Sequence, residues 1–185
     1  MARYKTEHKE QTRERIVDAA GRCFKKNGFS GIGVDGLAKE AGVTSGAFYG
    51  HFKSKKTAFN AAVETGMEEL LDGVNQFKEQ HGNNWWPEFA AFYLGQKRTC
   101  DLTESCALQT LMPEVGRADD SVKDTFENEL LKVVKAVAGS DKQKKIDKAW
   151  AKLAMLAGGV TLARAVNDQK LAKEIAQAVK KAAID

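Results

Sequence analysis

Proline is scarce in this chain: Pro87 and Pro113 are the only two in 185 residues. Long helices therefore meet few obligatory breaks. No apolar run approaches the roughly 20 residues of a membrane-spanning helix. The opening stretch, MARYKTEHKEQTRER, lacks the hydrophobic centre of a secretory signal. Cys23, Cys100 and Cys106 are too few and too odd in number for a disulfide framework. Reduced thiols and a cytoplasmic location are the expectation. The three histidines, His8, His51 and His81, have no ligand partner at i+3 or i+4, and Glu-x-x-His pairs are missing. Neither GxSxG, HExxH nor a P-loop occurs. No metal, cofactor or catalytic activity is therefore expected. Alternating strand-like runs bounded by turns are also missing. Hydrophobic residues at 43% and charged residues at 29% exclude disorder for the bulk of the chain. What is left points to an all-α fold.

Charge is unevenly placed. Residues 1–60 hold 12 Lys/Arg against 6 Asp/Glu, a surplus of +6, and the remainder carries −2. A basic first third suggests a module for a polyanion.

Helical periodicity organises the chain into about nine helices. Over residues 12–27, Ile16, Ala19, Ala20, Cys23 and Phe24 form one apolar stripe, ended by Asn27-Gly28. Val34 to Ala41 is a short helix stopped by Gly42. Thr44 caps a third, from Ser45 to about His51. Ser54 caps a fourth that runs into the late seventies. The spacing then predicts helices over Trp85–Lys97, Cys106 to about Val115, Asp119/Asp120 to Ala138, Asp141 to about Val166, and Gln169–Ala183.

The second and third helices, joined by a tight turn at Gly42, read as a helix-turn-helix steadied by the helix before it. Such a unit offers its second helix to the DNA major groove, N-terminal residues toward base edges. Lys39, Lys53, Lys55 and Lys56 can face phosphates, and Tyr49 and His51 can hydrogen-bond to them. Backbone N–H groups at the starts of the third and fourth helices also suit anions.

The run GFSGIGVDGLAKEAGVTSGAFYGHFKSKKTAF, residues 28–59, resembles the DNA-binding domain of the TetR family of bacterial repressors. The LAKEAGV core, the SGAFYGHF recognition helix and Ser54-Lys55 carry the likeness. The runs CALQTLMPEV and LAGGVTLARAV, at 106–115 and 156–166, are similar to stretches in one large group of such regulators. Gly33 stands where the family often has a capping Ser or Thr, Gly50 falls within the recognition helix, and Lys56 replaces a frequent acidic residue. The resemblance implies a DNA-binding domain over residues 1–54 and a helical ligand-binding and dimerisation domain over 55–185. It places Thr44, Ser45, Gly46, Ala47, Tyr49, His51 and Lys55 at DNA, with Ala47 able to meet a thymine methyl. Half-sites of a palindromic double-stranded operator would lie about 34 Å apart under a homodimer.

For the dimer surface, the small and apolar residues of the penultimate helix, Leu156, Gly159, Leu162 and Ala165, are the candidates. Phe89, Phe92, Tyr93, Cys106, Gln109, Phe126 and Trp150 are candidates for the pocket where the resemblance places an inducer, with Tyr93 and Gln109 its polar groups. Cys106, at the start of a helix, also invites a thiol-reactive inducer, with Cys100 as a resolving partner. The alternative function is a helical small-molecule-binding protein of the same fold with weak or no DNA binding.

Overall fold

A computed structural model describes residues 2–184, with side chains from Glu7 to Ile184. Ten α-helices and two short 3₁₀ turns make up the described residues, and no strand is present among them. They are α1 (Ala2–Asn27), α2 (Val34–Glu40), α3 (Ser45–Tyr49), α4 (Lys55–His81), α5 (Trp85–Thr99), α6 (Ala107–Thr110), α7 (Met112–Arg117), α8 (Asp120–Ala138), α9 (Gln143–Arg164) and α10 (Gln169–Ile184). The helix expected over Cys106–Val115 is divided. Leu111 is the hinge between α6 and α7, and Pro113, unable to donate a backbone hydrogen bond, sits in the first turn of α7. No described helix is long and apolar enough to cross a membrane.

The helix ends are set by local chemistry. Gly28, Gly42 and Gly139 take positive φ directly after α1, α2 and α8. At Gly42 the geometry is explicit. Its N–H donates to the Lys39 carbonyl and that of Val43 to the Ala38 carbonyl, the paired bonds of a Schellman ending. The Thr44 hydroxyl accepts from the Ala47 N–H at 3.1 Å to start α3. Ser54 and Thr57 exchange hydrogen bonds in a capping box at the head of α4.

Two apolar clusters fill the interior. The first gathers Ile16, Ala20 and Phe24 of α1, Leu37 of α2, Phe48 of α3, and Ala58, Phe59 and Ala62 of α4. It also takes in Leu111, Val115 and Val122 from the α6–α8 region. The second joins Met67, Leu70 and Val74 of α4 to Trp86, Phe89 and Tyr93 of α5, Val133 of α8, and Leu153, Leu156 and Val160 of α9. The single helix α4, about 40 Å long at 1.5 Å per residue, thus serves both clusters. Phe126 of α8 packs against both. Gly66 marks the closest crossing, because a Cβ there would meet the Ala107 Cβ at 2.5 Å. At the far end, Trp86 Nε1 donates to the Ala183 carbonyl at 2.7 Å and holds α10 against α5.

Candidate nucleic-acid interface and apolar pocket

In the α1–α3 head, Phe48 and Phe52 turn inward and are nearly fully buried, which fixes the outward face of α3. Gly46, Ala47 and Tyr49 are exposed on that face. The Tyr49 ring stands edge-on to Phe48, at 5.8 Å between centroids, with its surface 56% exposed. Ser45 donates to the Asp35 carboxylate at 2.5 Å, so α2 orients its hydroxyl. Gly50 is not inside α3 as its sequence position suggested. It is the C-cap, in ordinary αR geometry, with its N–H on the Gly46 and Ala47 carbonyls. The expected helix-interior penalty for glycine therefore does not arise at this position. Gly33 begins α2 without a side-chain capping bond, as its missing side chain requires. The spacing Gly31-x-Gly33-x-x-Gly36 has the form of a dinucleotide-binding turn. It follows α1 rather than a strand, so the context that gives that spacing its meaning is missing.

His51 follows α3 and is half-buried. Burial pulls its pKa below the ordinary value, and Lys9 and Arg13 of α1 push the same way. The guanidinium of Arg13 lies 5.3 Å from the centroid of the Phe52 ring. Lys9 and Arg13 are thus neighbours of the turn after α3, a grouping that sequence reasoning did not assemble. Their i,i+4 spacing, off the apolar stripe of α1, was the available signal.

Lys55 is anchored within the chain. Its Nζ donates to the Phe29 carbonyl at 3.0 Å and the Ile32 carbonyl at 3.1 Å, and stands 4.3 Å above the Phe29 ring. Two of its three N–H groups are committed to the loop between α1 and α2, which leaves one for a phosphate. Lys56 is also occupied, paired with Asp119 at 2.7 Å. That pairing holds the Asp119 carboxyl down at about 2. Lys53, in contrast, is exposed on the turn into α4.

A cavity of about 170 Å³ lies between α4, α5 and the start of α6. Phe77, Phe89, Phe92, Tyr93 and Cys106 line it, together with the oppositely charged Lys97 and Glu69. Three residues expected there are elsewhere. Gln109 donates to the Thr161 hydroxyl at 3.3 Å. Phe126 is packed between the two clusters, and Trp150 is 38% exposed on α9. Cys106 also differs from expectation. It caps a helix of only four residues, too short to supply a useful dipole, and burial pushes its thiol above the ordinary value. It is therefore held as the protonated, weakly nucleophilic form. Cys100 is drawn instead to Arg164, whose guanidinium donates to the Cys100 and Lys97 carbonyls at 3.0 and 2.7 Å.

Of the four dimer candidates, two face inward. Leu156 is buried, and a Cβ on Gly159 would meet Val179 Cγ1 at 2.8 Å and Leu94 Cδ2 at 3.1 Å. These residues allow α5, α9 and α10 of one chain to approach. Leu162, at 60% exposure, and Ala165 lie on the outer side of α9 with Trp150, Ala154 and Gly158.

Comparison with known proteins places this geometry. The profile described as "Bacterial regulatory proteins, tetR family" matches residues 16–62. Over 64 residues the chain is 43% identical to the HTH-type transcriptional regulator AcrR of Shigella flexneri, covering 35% of this chain and 30% of that protein. It is 40% identical over 70 residues to SrpR of Pseudomonas putida, covering 38% and 33%. The matched segment thus spans about a third of these relatives. Among solved structures, a TetR-family regulator from Cytophaga hutchinsonii superimposes with a TM-score of 0.76 at 18% identity, over 96% of this chain and 95% of that one. The reduced form of E. coli NemR gives 0.75 at 18% identity, over 92% and 96%. These last two establish the shared fold. Residues 16–62 thus match the tetR family of bacterial regulatory proteins, and the all-helical chain as a whole shares its fold with solved TetR-family regulators.

Proposed function

We propose that the chain is a cytoplasmic, homodimeric transcriptional repressor that reads a palindromic duplex with α3 and leaves it when a small molecule occupies the α4–α6 cavity. The observation that carries this is the exposed face of α3, with Ala47 and Tyr49 presented beside His51, Lys53, Lys9 and Arg13. Phosphate neutralisation would supply most of the affinity, and the small side chains of α3 would admit base edges. Thr44, Ser45, Gly46 and Ala47 form the base-facing set, and Tyr49, His51 and Lys53 the phosphate-facing set. Lys55 contributes chiefly by holding the α1–α2 loop in place. Residues 1–54 would read DNA, and 55–185 would bind ligand and pair the chains.

Pairing is supported by the outward stripe of α9, where Trp150, Ala154, Gly158, Leu162 and Ala165 recur at helical spacing without an intrachain partner helix over them. A second copy laying α9 and α10 against this stripe would make a four-helix bundle. Ligand coupling is supported by α4, which lines the cavity at Gly66, Leu70 and Gly73 and enters the head core at Ala58, Phe59 and Ala62. A shift of α4 on ligand binding would change the spacing of the two recognition helices, and with it operator affinity.

Fluorescence anisotropy with duplexes from the DNA flanking the chain's own coding region tests the reading. Saturable binding that falls steeply with salt is expected, with a loss of sequence preference in Ala47 variants. Failure to bind any duplex at about 50 mM salt overturns it in favour of a ligand-binding helical protein.

A further inference from the structure

The α4–α6 cavity carries enough detail to name the chemistry of its ligand, an inference that rests on reading this cavity as the ligand site. Its interior is built from rings. Phe77 meets Phe89 edge-on at 5.4 Å and Phe92 at a tilt at 5.2 Å. These faces offer a planar apolar guest the edge-to-face and offset contacts that aromatic pairs favour. The volume of about 170 Å³ is close to the roughly 150 Å³ of a dry cavity that holds one benzene. One six-membered ring with a small substituent fills it.

One polar group inside is unspent. Tyr93 is 2% exposed, and its hydroxyl makes no hydrogen bond to any nitrogen or oxygen. The Cys106 thiol lies beside it, a weak partner, and the Arg164 guanidinium is near enough to act on it electrostatically. A buried hydroxyl left in that condition is costly, and a ligand atom that satisfies it gains correspondingly. Burial raises the Tyr93 phenol well above its ordinary value, so it keeps its proton and acts as a donor. Lys97, Glu69 and Ser105 of the lining each have a partner within the chain. Lys97 donates to the Glu104 carbonyl at 2.7 Å, and Lys25 lies 3.9 Å from Glu69. Ser105 shares its hydroxyl with Leu102 and Thr110. Lys97 and Glu69, the two charged residues of the lining, are opposite in sign and give the site no net charge to attract an ion.

We propose that this cavity takes a neutral monocyclic aromatic molecule bearing one hydrogen-bond-accepting carbonyl, with the ring among Phe77, Phe89 and Phe92 and the carbonyl oxygen on the Tyr93 hydroxyl. The acceptor sets specificity, and the rings set affinity.

Calorimetric titration of the full chain with acetophenone, ethylbenzene and benzoate tests this. The wild type is compared with Tyr93→Phe, which deletes only the orphan hydroxyl, and with Gly73→Leu. A Cβ on Gly73 meets nothing within 4 Å, so leucine there fills the cavity. Acetophenone is expected to bind at least about fivefold tighter than ethylbenzene, and benzoate not to bind. Tyr93→Phe should weaken acetophenone by about five- to tenfold and leave ethylbenzene within about twofold. Gly73→Leu should abolish both. The Tyr93→Phe protein should melt close to wild type, because the lost hydroxyl has no nitrogen or oxygen partner and only a weak thiol beside it. Equal binding of the two neutral rings, a preference that survives Tyr93→Phe, tightest binding by benzoate, or no binding of either ring overturns the proposal. The titrations contain no DNA, so they stand apart from the repressor reading. Tyr93-dependent acetophenone binding that never alters duplex affinity defeats the inducer reading alone. Duplex binding without ring binding defeats this proposal alone.

Discussion

Replacing Lys55 by methionine separates two roles that a lysine at this position could have. Methionine keeps most of the apolar stem and removes the ammonium. The lost contacts are hydrogen bonds of 3.0 and 3.1 Å to the Phe29 and Ile32 carbonyls and a position 4.3 Å above the Phe29 ring. A charged hydrogen bond contributes about 1.5–3 kcal/mol. Lys55 is half-buried, so water can replace part of each bond, and about 1 kcal/mol apiece is the reasonable figure. The ring contact adds about 0.5 kcal/mol. A destabilisation of about 2–3 kcal/mol follows, which in a chain of this size lowers Tm by about 4–10 °C. The companion measurement is the dependence of duplex affinity on salt. An ammonium that neutralised a phosphate would take about 0.9 per chain from the log–log slope when removed. As an anchor, Lys55 should leave that slope nearly intact while Tm falls. Lys53→Ala should do the reverse, flattening the slope at constant Tm. An unchanged Tm together with a flattened slope for Lys55→Met would refute the anchoring argument.

His51 has a depressed pKa in the free protein through burial, Lys9 and Arg13. A nearby phosphate raises it, so duplex binding should take up a proton and strengthen as pH falls from about 7.5 toward about 6. His51→Asn should remove that dependence in anisotropy titrations at constant ionic strength. For the fold alone the sign reverses. The unfolded chain binds that proton more readily than the folded one, so His51 lowers stability as pH falls through its ordinary value of about 6.5. Adjacent glycines on α9 should behave in opposite ways. Gly159→Ala drives a methyl to 2.8 Å from Val179 and costs about 1–3 kcal/mol in thermal melts, whereas Gly158→Ala meets no atom of its own chain within 4 Å and spares the protomer. Leu162→Glu places a charge on the most exposed large apolar residue of the outward α9 stripe. Light scattering should then report a monomer with unchanged helicity, and a persistent dimer would move the interface elsewhere.

Signals that act within a few residues were legible in the sequence. Thr44 and Ser54 as caps, and Gly28, Gly42 and Gly139 as stops, are set by hydrogen bonds spanning five residues or fewer and by positive φ. The spacing of α3 predicts an inward turn for Ala47, Phe48 and Phe52; Phe48 and Phe52 are buried, whereas Ala47 is exposed. Choices made across the fold were not legible. Lys55 selects carbonyls 26 and 23 residues away in sequence, at the end of a loop whose path the sequence does not state. On α9, apolar and small residues occupy so wide an arc that periodicity cannot separate Leu156 and Gly159, which face inward, from Leu162 and Ala165, which face out. The aromatic residues were correctly read as abundant in the body. Which of them border one cavity depends on how α4, α5 and α6 meet: Phe77 does, and Trp150 and Phe126 do not.

Leu111, Val115 and Val122 pack beneath the head, in the same cluster as Phe24 and Phe59. A fragment ending near residue 60 would enter solution with a greasy underside and would be expected to clump or melt early. Heating the intact chain should accordingly give one sharp transition, with the reading end and the sensing end lost together.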